Sequence, residues 1–282
     1  KHPLAADSTY HVQLQGTLAG KAWAKKWQFT TADSGLSVQK ATQAVLDRLN
    51  ANRAQAGLGT VSLDDKLSRG CQLHAEYLVK NADVLLKKNG SVNDQDAQLP
   101  WYTIDGARAA QKSLVFTNAP TPVLQIDDLM ATFSSRVYLL DPTLQRIGFG
   151  CSHDIGRGWR CVLDVLNGRG DGRFILYPAP LQTDVPTIGF EGIEDGKGSA
   201  GFPISVTIPQ TARVGNVQGV LLDGDEKKVE IRLNSLSGKE QRNHFALIPL
   251  QPLQAGRTYS VTVSAIVDGA EWRRTWQFTT AK

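Results

Sequence analysis

The alternation of apolar and polar positions divides the chain into a helix-patterned middle and strand-patterned ends. From Val38 to Gly57, apolar residues at Ala41, Val45, Leu49 and Ala56 interleave with Asp47, Arg48, Asn52 and Arg53, which predicts an amphipathic helix closed by Gly57. A second helix follows, opened by Ser62-x-x-Asp65 at capping-box spacing and running to about Asn81. Its stripe joins Leu67, Cys71, His74 and Leu78, so Cys71 points inward and reads as an inert core thiol. Leu124 to Phe133 reads as a further helix, and Ile147–Cys151 with Trp159–Val165 as paired strands. The class is mixed α and β.

Both ends carry one repeated pattern. Residues 9–33 align without a gap on residues 258–282, and eleven of the 25 pairs are identical, including Tyr10/Tyr259, Val12/Val261, Trp23/Trp272, Trp27/Trp276 and Phe29/Phe278. Each copy predicts two strands about a turn: Tyr259, Val261 and Val263 alternate, Asp268-Gly269 is a hairpin signal, and Trp276 and Phe278 alternate again. Further alternating runs at Ile204-Val206-Ile208, Val229-Ile231-Leu233 and Phe245-Leu247 precede the second copy, enough for a complete β-sandwich over 185–282. The first copy has no such lead-in, and a lone hairpin is marginal in water. Residues 1–33 therefore read as the closing hairpin of a domain whose front lies outside this sequence, unless the hairpin packs on a neighbouring domain of the same chain. The Tyr-x-Val and Trp-x-Phe-Thr-Thr endings resemble immunoglobulin-like modules that occur in tandem on bacterial surface proteins.

Length and composition fit this division. The 282 residues suffice for two cores at roughly 150 residues per domain. Hydrophobic residues make up 41% and charged residues 21%, an ordinary globular balance. The net charge of +4 comes from 31 basic residues spread without a run, so no nucleic-acid partner is expected. No apolar run reaches the ~20 residues of a membrane helix. The sequence opens at Lys1 with neither an initiator Met nor a signal peptide, which reads as a processed protein or an excised fragment.

The three cysteines form no CxxC pair. Cys151 and Cys161 bracket a turn-like stretch and fall opposite each other if their strands form a hairpin, a separation that a disulfide spans in an oxidising compartment. The alternative is two small buried thiols.

The middle of the chain resembles a known family. Leu49-Asn50-Ala51-Asn52-Arg53-x-x-x-Gly57-Leu58, the stripe Leu67 to Leu78, Ser134-Ser135-Arg136-x-x-Leu139-Leu140-Asp141-Pro142 and Ile147-Gly148-Phe149-Gly150 follow one another as in the bacterial branch of the CAP superfamily, the cysteine-rich secretory, antigen 5 and pathogenesis-related 1 proteins. The resemblance implies a CAP-like α/β/α three-layer sandwich, here over 36–168, and an extracellular or cell-surface location; a 169–184 linker then leads to the immunoglobulin-like β-sandwich read from the strand pattern over 185–282. Many members hold a divalent cation with two histidines and two acids. Here Ser135 stands where the family has a His before its Arg, the stretch Leu85 to Asp96 offers Asn89 and Asn93 but no His, and no Gly-Glu-Asn stands near Ser113. Asp127 or Asp128 is the acid that remains. The histidines His2, His11, His74, His153 and His244 fall in separate elements, so no metal and no cofactor is expected.

Some residues still carry candidate chemistry. His74 is either a base beside Glu76 or, the preferred reading, an internal hydrogen-bond donor. Ser134 or Ser135 with His153, and Asp127 or Asp154 as third member, would make a hydrolase, yet no Gly-x-Ser-x-Gly elbow is present and a Ser-Ser pair at a helix end is commonly a cap. Trp101 and Tyr102 either anchor a carbohydrate, lipid or protein partner at the cell surface or plug the core. Gly168-x-Gly170-x-Gly172 reads as linker rather than phosphate cradle. Ser135, Arg136, Trp101, Tyr102 and His74 are therefore the cleft candidates of a structural or binding protein rather than an enzyme.

Overall fold

The computed structural model describes residues 9–18, 21–30, 38–88, 90–154, 157–166, 173–190, 200–236 and 243–282. The Gly168–Gly172 run, His2 and Asn89 lie outside them.

The predicted first helix forms as α1 (Val38–Gln55), with Ala41, Val45 and Leu49 buried and Gly57 at a positive φ of 68° just past its end. Arg53, read as part of the polar face, is instead buried. Its guanidinium donates to the carbonyls of Gly59, Leu139, Asp141 and Leu144 and so ties α1 to distant loops. Burial lowers its pKa, and the nearby Asp141 carboxylate partly offsets this. The second helix, α2 (Asp65–Lys80), is capped two residues beyond the expected Ser62. Asp64 accepts from the amides of Lys66 and Leu67, while Ser62 is drawn into strand β3 (Ser62–Leu63), parallel to Arg146 and Ile147.

α3 (Ala82–Lys88), α4 (Ile104–Ala110) and β4 (Ser113–Ala119) follow. The single helix expected from Leu124 to Phe133 is two, α5 (Pro122–Met130) and α6 (Phe133–Leu139). The break falls at Ala131-Thr132, where Thr132 hydrogen-bonds the Asp128 carbonyl through its hydroxyl. Ser134 and Ser135 thus sit inside the first turn of α6, with Thr132 at the cap position.

β5 (Arg146–Asp154) and β6 (Gly158–Asp164) pair antiparallel and complete a sheet in the order β3-β5-β6-β4. Its two faces enter different cores. Ile147, Phe149 and Leu163 pack with α1 and α5, whereas Val162 packs with Cys71, Ala75 and Leu78 of α2. Gly148 and Gly150 alternate with Ile147 and Phe149 on β5 because α2 lies directly upon them. A Cβ on Gly150 would stand 2.2 Å from the Gln72 nitrogen.

The C-terminal part forms two antiparallel sheets. One has the order β12-β13-β10-β7, from β12 (Ile231–Ser235), β13 (His244–Pro249), β10 (Ile204–Thr207) and β7 (Ile175–Tyr177). The other joins β11 (Val214–Leu222), β14 (Thr258–Val267) and β15 (Ala270–Thr279). They share a core of Val206, Leu247, Tyr259, Val261, Trp276 and Phe278. Two short strands, β8 (Ile188–Gly189) and β9 (Ala200–Gly201), pair beside them. Strand β7 arises within the stretch read as a linker. Of the run expected to face inward at 229–233, Leu233 is exposed and Ile231 half-buried. β14 and β15 turn at Asp268-Gly269 with both φ values positive, as a two-residue hairpin requires.

The N-terminal copy forms a separate hairpin, β1 (Thr9–Leu18) with β2 (Lys21–Thr30). Its pairing register, from Thr9↔Thr30 to Leu18↔Lys21, reproduces that of β14–β15 from Thr258↔Thr279 to Val267↔Ala270.

Candidate functional site

The five cleft candidates separate into two places. His74 is fully buried on α2, where its Nε2 lies 2.8 Å from the Val92 carbonyl and its Nδ1 lies 3.0 Å from the Gln95 side-chain nitrogen. Nε2 therefore donates and Nδ1 accepts. Gln95 also accepts from the Thr103 amide, so His74 anchors the 92–103 loop to α2. Burial lowers its pKa and favours the neutral ring. Glu76 is bonded to Gln72 instead, which removes the base reading. Trp101 and Tyr102 lie on that loop and face solvent rather than plugging the core. Trp101 is 53% exposed, at a φ of 66°, with Lys80 Nζ 5.2 Å from its ring centre.

Ser135 and Arg136 sit on α6. Ser135 is half-buried, and among the described residues no hydrogen bond joins it to a histidine: His74 is engaged as above, and His153 packs against Trp159. Arg136 is 1% exposed and closed to ligands. Its guanidinium donates to the Met130 and Pro203 carbonyls and to Ser205 Oγ, and stands 4.5 Å from the Phe202 ring centre and 5.0 Å from that of Tyr177. A buried cation held by carbonyls and aromatic faces is a structural tie. Here it clamps the helical part to the first C-terminal sheet.

Above that clamp lies a cleft of about 530 Å³ that sequence reasoning did not find. One wall is α1 and α5, with Arg48 Nε donating to Asp127 Oδ1 at 2.7 Å. The facing wall is the strap from Leu181 to Pro186, and the floor holds Tyr177, Met130 and Phe202. Gln182 donates to Gln55 Oε1 at 3.1 Å and to the Tyr177 hydroxyl at 3.4 Å, while the Tyr177 hydroxyl donates to Asn52 Oδ1 at 3.3 Å. One signal was visible in advance: Asn52 continues the apolar stripe Ala41, Val45, Leu49, and a polar residue on such a stripe needs a partner. Residues 181–186 gave none, since they carry no periodicity.

A second cleft, also about 530 Å³, runs between α2, α3 and β6 past Leu78, Leu85 and Val92. Arg157 and Arg160 stand at it, and both are paired: Arg157 with Asp83 and Asp154, Arg160 with Asp154.

Cys151 and Cys161 are cross-strand neighbours, and both are free buried thiols. The contact with Cys151 and burial raise the Cys161 pKa, and burial pushes Cys71 up to about 12, so neither Cys161 nor Cys71 is a ready nucleophile. Among the described residues, no three His, Cys, Asp or Glu side chains gather in a metal-holding group, and no helix is long and apolar enough to cross a membrane.

Residues 46–163 match the family model of the cysteine-rich secretory proteins, CAP, which supports a CAP domain over that part of the chain. No curated protein matches the sequence. Among solved structures, the chain is similar to CopC from Methylosinus trichosporium OB3b, at 15% identity over 38% of this chain and 88% of that one, with a TM-score of 0.28. It is also similar to an outer surface protein from Borrelia burgdorferi, at 12% identity over 45% of this chain and 93% of that one, with a TM-score of 0.32.

Proposed function

We propose that the chain is a secreted or cell-surface binding and structural protein. In this reading a CAP-like domain of the bacterial branch, a three-layer α/β/α sandwich without the family's cation-holding tetrad, is strung between immunoglobulin-like modules. The observation that carries it is the position of Arg136. It follows Ser135, the residue that replaces the family's histidine, and its guanidinium donates to the Met130 and Pro203 carbonyls and to Ser205 Oγ, so that corner of the domain joins two parts of the chain. His74 is likewise committed, to Val92 and Gln95.

The repeat supports the modular part. β1–β2 carries the register of β14–β15, so its apolar face fits a sheet like β12-β13-β10-β7 from a further module of the same polypeptide. Cys151 and Cys161 face each other across β5–β6, and in the oxidising compartment of this reading the loss of two protons and of two electrons to a thiol oxidant there would join them as a disulfide. Intact mass of protein recovered from such a compartment checks this, with a loss of about 2 Da expected from that bridge.

Isothermal titration with Zn²⁺, Mg²⁺ and Ca²⁺ tests the reading. No stoichiometric uptake is expected. Tight 1:1 binding lost on Asp127→Asn would overturn it.

A further inference from the structure

We propose that the cleft between α1, α5 and the 181–186 strap is a binding site for a neutral saccharide of one or two rings. The proposal rests on the binding-module reading above and narrows it to one place and one ligand chemistry.

The charges at the cleft decide the class. Arg48 and Asp127 form an ion pair on one wall, and Asp184 stands on the other. A phosphate or carboxylate ligand would meet both carboxylates, and a metal ion would meet the guanidinium. A sugar hydroxyl donates one hydrogen and accepts others, so vicinal hydroxyls satisfy a guanidinium and a carboxylate together. Both groups are reachable, the Arg48 side chain being 49% and that of Asp127 34% exposed.

The polar wall is built in advance of any ligand. Gln182 is fixed by three bonds, to Gln55, to the Tyr177 hydroxyl, and through its Oε1 from the Ala179 amide at 2.8 Å. Asn52 holds the Tyr177 hydroxyl and donates to the Arg48 carbonyl at 3.1 Å. These links set the spacing between Arg48 and the strap before binding, which lowers the ordering cost of binding.

The strap holds two non-glycine residues in the left-handed region, a conformation that Leu181 disfavours and Asp184 tolerates. Leu181 and Asp184 have φ values of 63° and 56°, and neither is glycine. Backbone bonds to β15 impose this: Leu181 N to Gln277 O at 2.7 Å, Thr279 N to Gln182 O at 2.8 Å and Val185 N to Thr279 O at 3.2 Å. Strained left-handed residues cluster at ligand clamps. Here they set Leu181, 80% exposed, at the rim as an apolar surface suited to the C–H face of a sugar ring. The volume of about 530 Å³ lies in the range of small-molecule sites.

The test uses the full chain with cellobiose, maltose, lactose and N,N′-diacetylchitobiose, and with glucose 6-phosphate as the charged comparison, read by saturation-transfer NMR and calorimetry. At least one neutral disaccharide should bind 1:1, weakened about tenfold in Gln182→Ala and in Arg48→Ala. Asp184→Asn keeps a residue tolerant of positive φ and should weaken binding about threefold, which covers the case of a Gln182 variant that fails to fold. Trp101→Ala should bind as the parent does. Sugar binding lost with Trp101→Ala but kept in the cleft variants would overturn the site while leaving the binding-module reading intact. Binding of glucose 6-phosphate alone, or of none of the five probes, would overturn the ligand class, whereas the module reading fails only through the metal titration.

Discussion

The two hairpins of this chain share eleven of 25 aligned residues and one pairing register, yet one closes a core and the other lies open. In β14–β15, Trp276 is 5% exposed, its indole nitrogen donates to the Pro178 carbonyl at 2.9 Å, and Tyr259, Val261 and Phe278 are buried around it. In β1–β2 the equivalent Trp27 is 41% exposed and Leu14 49%. The local code, alternation plus a tight turn, therefore makes the hairpin, while burial is set by what stands opposite. That is the division between strand pairing, which is short-range, and core formation, which needs a second sheet.

The largest test of this contrast places a charge on the shared face. Val261→Asp puts an unpaired carboxylate where exposure is nil and should cost about 4 kcal/mol or more, enough to abolish the cooperative urea transition of the C-terminal part. Val12→Asp, at the matching half-buried position, should cost about 1 kcal/mol or less. Equal effects would mean that the N-terminal face is covered after all. Next in size, Trp276→Ala loses a buried ring and strands the Pro178 carbonyl, about 3–5 kcal/mol, against about 0.5 kcal/mol for Trp27→Ala. Tryptophan fluorescence sharpens this pair, because Trp27→Ala should remove a red-shifted, readily quenched component.

A graft then asks whether the copies are interchangeable. Replacing residues 258–279 by the sequence of 9–30 retains Tyr259, Val261, Trp272, Trp276 and Phe278 and changes two core positions, Val263→Leu and Ala265→Gly. Overpacking at the first and lost packing at the second should together cost about 2–3 kcal/mol, with folding retained. A graft that does not fold would show that the N-terminal hairpin is fitted to a different kind of partner.

Legibility in the sequence follows the same line. α1, the β5–β6 pair and both hairpins were readable, because each is written in periodicity within a few turns or strand lengths. Ser62 was misread as a cap since its fate is decided by pairing with Arg146, far along the chain, which leaves the cap to Asp64. Arg136 looked like a cleft residue until Pro203, Ser205 and two aromatic rings closed over it. The junction cleft was the least visible. Asn52 on an apolar stripe was its one trace, while Leu181 and Asp184 act through backbone angles that β15 imposes and no side-chain pattern encodes.

The smallest effect distinguishes the covered hairpin from the open one by pH. His244 lies on β13 in the sheet opposite β14–β15, held by Thr207 Oγ1 at 2.9 Å and Gln210 Nε2 at 3.0 Å, and burial lowers its pKa from 6.5 to about 4. The unfolded chain then binds this proton at a higher pH than the folded one, so stability is complete above 6.5 and falls as pH drops from there towards 4. From pH 7 to 5.5 the loss should be about 1 kcal/mol, read as a lowered urea midpoint of the C-terminal part. His74, lowered by burial on α2, contributes with the same sign, so His244→Gln should reduce the slope rather than abolish it. Because the effect acts through the covering sheet, acid should expose Trp276 to quenchers and leave Trp27, which has no cover to lose, unchanged.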